Sequence, residues 1–278
     1  MKVEEIMTTD AKFAEVPGER AELLDLMNEH KVDGLPVVKK GTRKIVGMIT
    51  KTDLLKKPGE NQIALLMSRN PITVPPDTSV TDVVRLLIDN GIRRIPVIDK
   101  DTCVGIVTVA DIVWKAIPKM DLPNPIKSYV KRDVIAVWDG TPLPVAYTIM
   151  DLARTRVLHV LNGSGELCGI VSEVDMFSHS EVISKNKVSS MQATSEGTDW
   201  SWDTEDILYI AKKELKLPQK PISEIMISDV ITVVEQVTVS ECAAKMKKFD
   251  IDQIPVLNAE GRLSGLIRDR DLLRVFLE

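Results

Sequence analysis

Four short stretches of the chain carry residue types that could hold a phosphorylated sugar. In the first, Thr50-Lys51-Thr52-Asp53, an apolar run ends at Ile49 and a helix start follows. The unpaired backbone N–H groups of a helix start attract an anion. A threonine hydroxyl can add a hydrogen bond to phosphate or ribose. A carboxylate three residues later can accept both hydroxyls of a ribose cis-diol. The same spacing recurs at Thr108 and Asp111, at Ser172 and Asp175, and at Arg268 and Asp271, where arginine replaces the hydroxyl residue. Thr-x-x-Asp is equally a capping box that needs no ligand. The two roles are compatible, because a cap holds the aspartate rigidly. A second feature is Arg93-Arg94, just before Pro96. Guanidinium forks match phosphate oxygens and keep their charge; a solvated strand edge is the alternative.

Catalytic constellations are not evident. No nucleophile–base arrangement or metal cluster stands out, and Pro58-Gly59-Glu60 reads as a turn rather than a phosphate-binding Walker loop. His30, His159 and His179 are far apart and form no i, i+4 pair. His159, among Leu158, Val160 and Leu161, reads as a satisfied core group.

The elements that must position these residues repeat four times, over roughly 1–57, 61–117, 123–180 and 219–278. Each copy opens at Ile6-Met7, Leu66-Met67, Ser128-Tyr129 or Ile225-Met226. From Met7, Met67 and Met226 to Pro36, Pro96 and Pro255 is 29 residues each time, and from Tyr129 to His159 it is 30. A glycine with two apolar residues follows (Gly47, Gly105, Gly169, Gly265), and the aspartate stands six residues after each. In the second copy Ile72-Thr73-Val74 reads as a strand. Val80, Val83, Val84, Leu87 and Ile88 have helical spacing, ending at Gly91. Two strands about Asp99-Lys100-Asp101 and a helix from Thr108 complete a β-α-β-β-α unit. Units of about 55 residues bury too little surface alone, so they are expected to pair. The insert 181–218 reads as a polar loop over Ser184–Gly197 and a helix over Asp203–Leu215. Trp200 and Trp202 would pack that helix or form a docking surface.

Bulk properties bound the function. The chain has 278 residues, 44% hydrophobic and 28% charged, with a net charge of -5. That composition suits a folded core and disfavours broad binding to nucleic acid. Cys103, Cys168 and Cys242 form no CxxC pair, two of them in apolar strand-like runs. The charged start Met1-Lys2-Val3-Glu4-Glu5 and the lack of an apolar run of about 18 residues point to a cytoplasmic protein with no membrane span.

The Met-to-Pro spacing, the apolar-Pro-Val strand and the Gly-apolar-apolar-[Ser/Thr]-x-x-Asp ending resemble the cystathionine-beta-synthase (CBS) domain, over all but the insert. Four copies are similar to archaeal stand-alone CBS proteins and to the gamma subunit of AMP-activated protein kinase. The resemblance implies an α+β fold of paired repeats, or Bateman modules. Here these would be 1–120 and 121–278, forming a pseudo-symmetric disc. It implies a regulatory protein without catalysis or cofactor, binding AMP, ADP or ATP, with S-adenosylmethionine or methylthioadenosine as further candidates. It also implies a protein partner that the sequence does not name; a homodimer and a structural adaptor with vestigial clefts stay open. Carried over residue by residue, Arg93 and Arg94 would hold phosphate in the cleft of Asp53, with Thr50, Thr52 and Ile72 around the nucleoside. Asp111, with Thr108, would face Asp33 and Gly34, whose acidic member repels phosphate and leaves that cleft empty or suited to a neutral nucleoside. Asp175, with Ser172, would face Asp252 and Gln253. Asp271 would face Arg156, while Arg268 would serve either a more highly charged ligand or a salt bridge closing the cleft.

Overall fold

The computed structural model describes residues 1–57, 59–120, 122–179, 181–190 and 207–278. The expected unit recurs. In the first repeat, strand Ala14–Val16 leads through helix Arg20–Glu29 to strands Gly34–Lys39 and Ile45–Thr50, then helix Lys51–Lys56. The first strand lies parallel to the second, Ala14 opposite Val37, and the second antiparallel to the third. The same order holds in the third repeat, Ala136–Trp138 to Glu173–Ser178, and in the fourth, Val233–Val234 to Asp269–Leu272. In the second repeat the opening strand shrinks to one parallel bridge, Val74 to Val97.

Local chemistry explains these elements. Ser79 caps helix Val80–Asp89 by accepting from Asp82 N at 3.1 Å, and Val80, Val83, Val84 and Leu87 are buried along one face. The helix stops at Asn90, followed by Gly91 with φ +62°. The next hairpin turns on Lys100 and Asp101, both at positive φ, the geometry that matches strand twist. The strand prolines lose a donor but keep an acceptor: Val74 N donates to Pro96 O at 3.2 Å. Where His159 replaces proline, its N–H donates to Ile135 O at 3.2 Å.

The opening segment of each repeat adds to the hairpin of another. Thr8 and Ile106 exchange backbone hydrogen bonds at 2.9 and 3.0 Å, while Ser68 and Arg69 pair with Met48 and Gly47. Lys131 pairs with Leu266 and Ile227 with Ile170 in the same way. This crossing accounts for the repeated glycine. A Cβ at Gly105 would lie 2.7 Å from Thr8 O, and one at Gly47 2.8 Å from Ser68 O.

Two compact units result: residues 1–132, 232–258 and 264–278 in the first, residues 133–231 and 259–263 in the second. This division differs from the expected 1–120 and 121–278, for two physical reasons. The exchange of openings carries 126–132 onto the fourth repeat and 222–231 onto the third. The helices of repeats two and four also share one core, in which Ile112, Val113, Ala116 and Ile117 join Val239, Cys242, Ala243 and Met246. Repeat one keeps a separate core around Leu23, Met27 and Ile49. In the second unit, repeat three centres on Leu143, Met150 and Leu158.

Of the helix expected over Asp203–Leu215, the part within the described residues lies instead in a strand, Ile207–Lys216, antiparallel to Glu181–Ser190. A single amphipathic helix of that length is marginal alone, whereas β-branched and aromatic residues favour a paired ladder. Ser184–Ser190, expected as loop, lies in the partner strand. Residues 191–206, with Trp200 and Trp202, fall outside the described residues.

Candidate functional site

The first unit contains a cavity of about 520 Å³ whose walls include Thr8, Asp33, Gly34, Arg93, Arg94 and Asp111. Strand register builds it: Arg94, first in strand Arg94–Asp99, pairs with Thr108, the cap of the following helix. Gly34 opens the equivalent strand of repeat one. A Cβ there would collide with the Arg94 guanidinium, so glycine leaves that side chain room beside the backbone. Trp114 also lines the cavity, its indole Nε1 buried without a hydrogen-bond partner among the described residues.

The two arginines differ. Arg93 forks onto Asp269, Nη2 to Oδ2 at 2.6 Å and Nη1 to Oδ1 at 3.3 Å, and lies 3.7 Å from Asp252. Asp269 is buried, and burial holds its carboxyl pKa above the ordinary range although the Arg93 guanidinium opposes the shift. Arg94 is half-buried and, among the described residues, its side chain makes no hydrogen bond or ion pair. Burial lowers its pKa, Asp33 opposes that and Arg93 adds to it. The expected repulsion from Asp33 is answered locally, because Lys51 Nζ lies 3.0 Å from its carboxylate.

In every repeat ending the aspartate accepts from the backbone N–H three residues before it. Asp53 Oδ2 accepts from Thr50 N and Oγ1 at 2.9 and 2.6 Å, and Asp175 Oδ2 accepts from Ser172 N and Oγ at 2.8 and 2.5 Å. Asp271 Oδ2 accepts from Arg268 N and Nε at 3.2 and 3.0 Å, so Arg268 is salt-bridged to its own aspartate. Asp111 Oδ2 accepts from Thr108 N and Oγ1 at 2.9 and 2.7 Å. Its Oδ1 is also taken, by Thr8 Oγ1 at 3.0 Å and Lys115 Nζ at 2.7 Å. Among the described residues the Oδ1 atoms of Asp53, Asp175 and Asp271 have no such donor.

Thus Arg93, Arg94, Thr108 and Asp111 come together, whereas Thr50, Thr52, Asp53 and Ile72 do not line this cavity. Ile72 packs on the core shared by repeats two and four. Ser172, Asp175 and Arg156 belong to the second unit, Arg156 exposed; Arg268 and Asp271 belong to the first. His159 is buried, its Nδ1 3.2 Å from Ile135 O, and burial lowers its pKa. Sequence reasoning missed Thr8 and Lys115. The i, i+4 spacing from Asp111 to Lys115 was the available signal, but Lys57 has the same spacing from Asp53 and bonds Leu65 O at 2.6 Å instead. Only the fold separates these two lysines. Among the described residues no cluster of three or more His, Cys, Asp or Glu side chains could hold a metal ion, and no helix is long and apolar enough to cross a membrane.

The fold recurs in known proteins. A solved structure of a conserved protein from Pyrococcus horikoshii is 31% identical and covers 99% of this chain and 100% of its own, with a TM-score of 0.69. The protein MJ1225 of Methanocaldococcus jannaschii is 25% identical over 279 residues, 90% of this chain and 89% of its own. Its crystal structure covers 99% of this chain and 100% of its own, with a TM-score of 0.69 and 23% identity. The CBS-domain family model matches residues 3–60, 62–116, 126–181 and 222–278, each within a few residues of the repeats read from spacing. With all four units matched and their βα order present in the fold, the chain belongs to the CBS-domain family.

Proposed function

We propose that the chain is a regulatory, non-catalytic ligand sensor that binds an adenine nucleotide carrying one phosphate, such as AMP, between repeats one and two. The observation that carries this reading is Arg94, a half-buried guanidinium on the cavity wall whose side chain, among the described residues, makes no hydrogen bond or ion pair and feels Asp33 only at a distance. Leaving a buried cation unpaired is costly unless an anion completes it. The nearby charges answer one another: Lys51 with Asp33, Lys115 with Asp111, and Arg93 with Asp269. Among the described residues lining the cavity, Arg94 is the cation whose side chain has no ion pair, which suits one phosphate. Resemblance to the family supplies the adenosyl part, and S-adenosylmethionine could offer Arg94 its carboxylate instead. The exchange of opening segments supports pairing repeat one with two. Ligand binding would then act through a protein partner, by favouring one arrangement of the repeats over another.

A second reading, a structural adaptor with vestigial clefts, is favoured by Asp111, whose oxygens are all engaged within the chain. Thermal unfolding with AMP, ADP, ATP, S-adenosylmethionine and GMP separates the two. A ligand at 100 times its Kd adds about 2.7 kcal/mol, or roughly 5–10 °C for a chain of this size. A shift with AMP and none with GMP supports the sensor; no shift with any adenosyl compound supports the adaptor.

A further inference from the structure

We infer that Asp252, a residue of repeat four, restricts the cavity between repeats one and two to ligands with a single phosphate. The inference rests on the sensor reading above and names the residue that limits the ligand's charge.

Asp252 lies on the wall of the same cavity as Arg94 and Asp111, although it comes from a different repeat. The fold brings it there through the core shared by repeats two and four and a backbone bond from Asp269 N to Asp252 O at 2.7 Å. Arg93 stands between the two carboxylates, forked onto buried Asp269 and 3.7 Å from Asp252. The fork uses both terminal nitrogens of Arg93 on Asp269, which is only 3% exposed, whereas Asp252 is 65% exposed. One guanidinium therefore faces two carboxylates, and the group carries a net negative charge when both are ionised. Arg94, the next residue, is left positive.

This produces a charge gradient along the strand start. A first phosphate meets the free fork of Arg94. A second or third phosphate, extending toward Arg93, meets a cation already satisfied by Asp269 and the surplus charge of Asp252. Two arginines in sequence would otherwise favour di- and triphosphates, because each can fork onto phosphate oxygens. Asp252 cancels that advantage, and like charges a few ångströms apart at the edge of a protein repel strongly enough to change affinity by an order of magnitude.

The test is calorimetric titration of the full chain and of Asp252→Asn with AMP, ADP and ATP. Asp252 is exposed and the substitution keeps its backbone bond to Asp269, so the variant is expected to fold; its circular dichroism and melting curve check this. For the unaltered chain, AMP is expected to bind at least about tenfold tighter than ADP or ATP. In Asp252→Asn the ADP/AMP ratio of dissociation constants is expected to fall about fivefold or more. Asp252→Lys is expected to lower it further and provides a second variant should the first misfold. Binding of AMP with an ADP/AMP ratio unchanged in both variants would overturn the role of Asp252 and leave the sensor reading intact. Binding of none of the three nucleotides to the unaltered chain would overturn the sensor reading, and the role of Asp252 with it.

Discussion

Asp53 and Asp111 end the same strand-to-helix turn in neighbouring repeats, and both cap their helix through a hydroxyl three residues earlier. They differ in the second carboxylate oxygen. Asp53 leaves it without a donor among the described residues, while Asp111 gives it to Thr8 and Lys115. Yet the described cavity, with the Arg94 side chain that has no ion pair among the described residues, lies beside Asp111. The motif therefore reports a cap in both places. Whether its carboxylate is available to a ribose depends on which opening segment crosses the hairpin and on where the lysine four residues later reaches. Thr8 arrives at Asp111 only because repeat one's opening pairs with Ile106.

Several substitutions break or sharpen this contrast. The largest expected effect is that of Asp111→Ala. It leaves the Lys115 ammonium, the Thr8 hydroxyl and the Thr108 N–H without their acceptor, and should cost about 3 kcal/mol of stability in chemical denaturation. Asp53→Ala removes a cap alone and should cost about 1 kcal/mol. Equal losses would erase the distinction between the two endings. If Asp53 also receives a ribose in a cleft of its own, as the family resemblance implies, its alanine variant should weaken adenosyl binding about tenfold to a hundredfold. Unchanged affinity in a folded protein would remove that role.

Lys115→Met is the subtler probe. Its side chain is 39% exposed, so losing the ion pair and the hydrogen bond to Ile6 O should cost only about 1 kcal/mol. Part of Asp111 Oδ1 then becomes free, and adenosine, which lacks phosphate, should bind more tightly than to the unaltered chain. Weaker adenosine binding would place the ribose elsewhere.

The smallest effect concerns the second unit and its exceptional repeat. His159 stands where the other repeats have proline, and burial holds its pKa below the ordinary 6.5. A histidine kept neutral by the fold and free to charge when unfolded binds fewer protons in the native state. Stability is therefore full above pH 6.5 and declines as pH falls below it toward the lowered folded value. Melting curves at pH 7.5 and 5.5 should show a decline that is smaller in His159→Pro, which restores the residue of its sister repeats. An identical pH response in the two proteins would mean that other groups carry it.

Much of this was legible in the chain. The four βα units follow from spacing alone, because the crossing glycine, the strand proline and the capping aspartate are each required locally. Gly47 and Gly105 must admit a neighbouring backbone, and Thr50 and Thr108 must cap a helix. The insert is ambiguous in sequence because Ile207, Leu208, Ile210 and Ala211 fit a helical face as well as a strand, and only the pairing partner decides. The grouping of Arg93 was also hidden. Its partner Asp269 lies 176 residues away, and nothing local distinguishes it from Arg94. Which of two adjacent arginines is left free is a property of the packing of repeat four on repeat two.

The central claim is that Arg94, whose side chain has no ion pair among the described residues, recruits a phosphate. Titration of the unaltered chain and of Arg94→Ala with AMP and with adenosine tests it most directly. The account predicts that Arg94→Ala weakens AMP about tenfold to a hundredfold, the range of a charge-assisted hydrogen bond, and changes adenosine far less. Equal loss for both ligands, or AMP binding unaffected by the substitution, would contradict it.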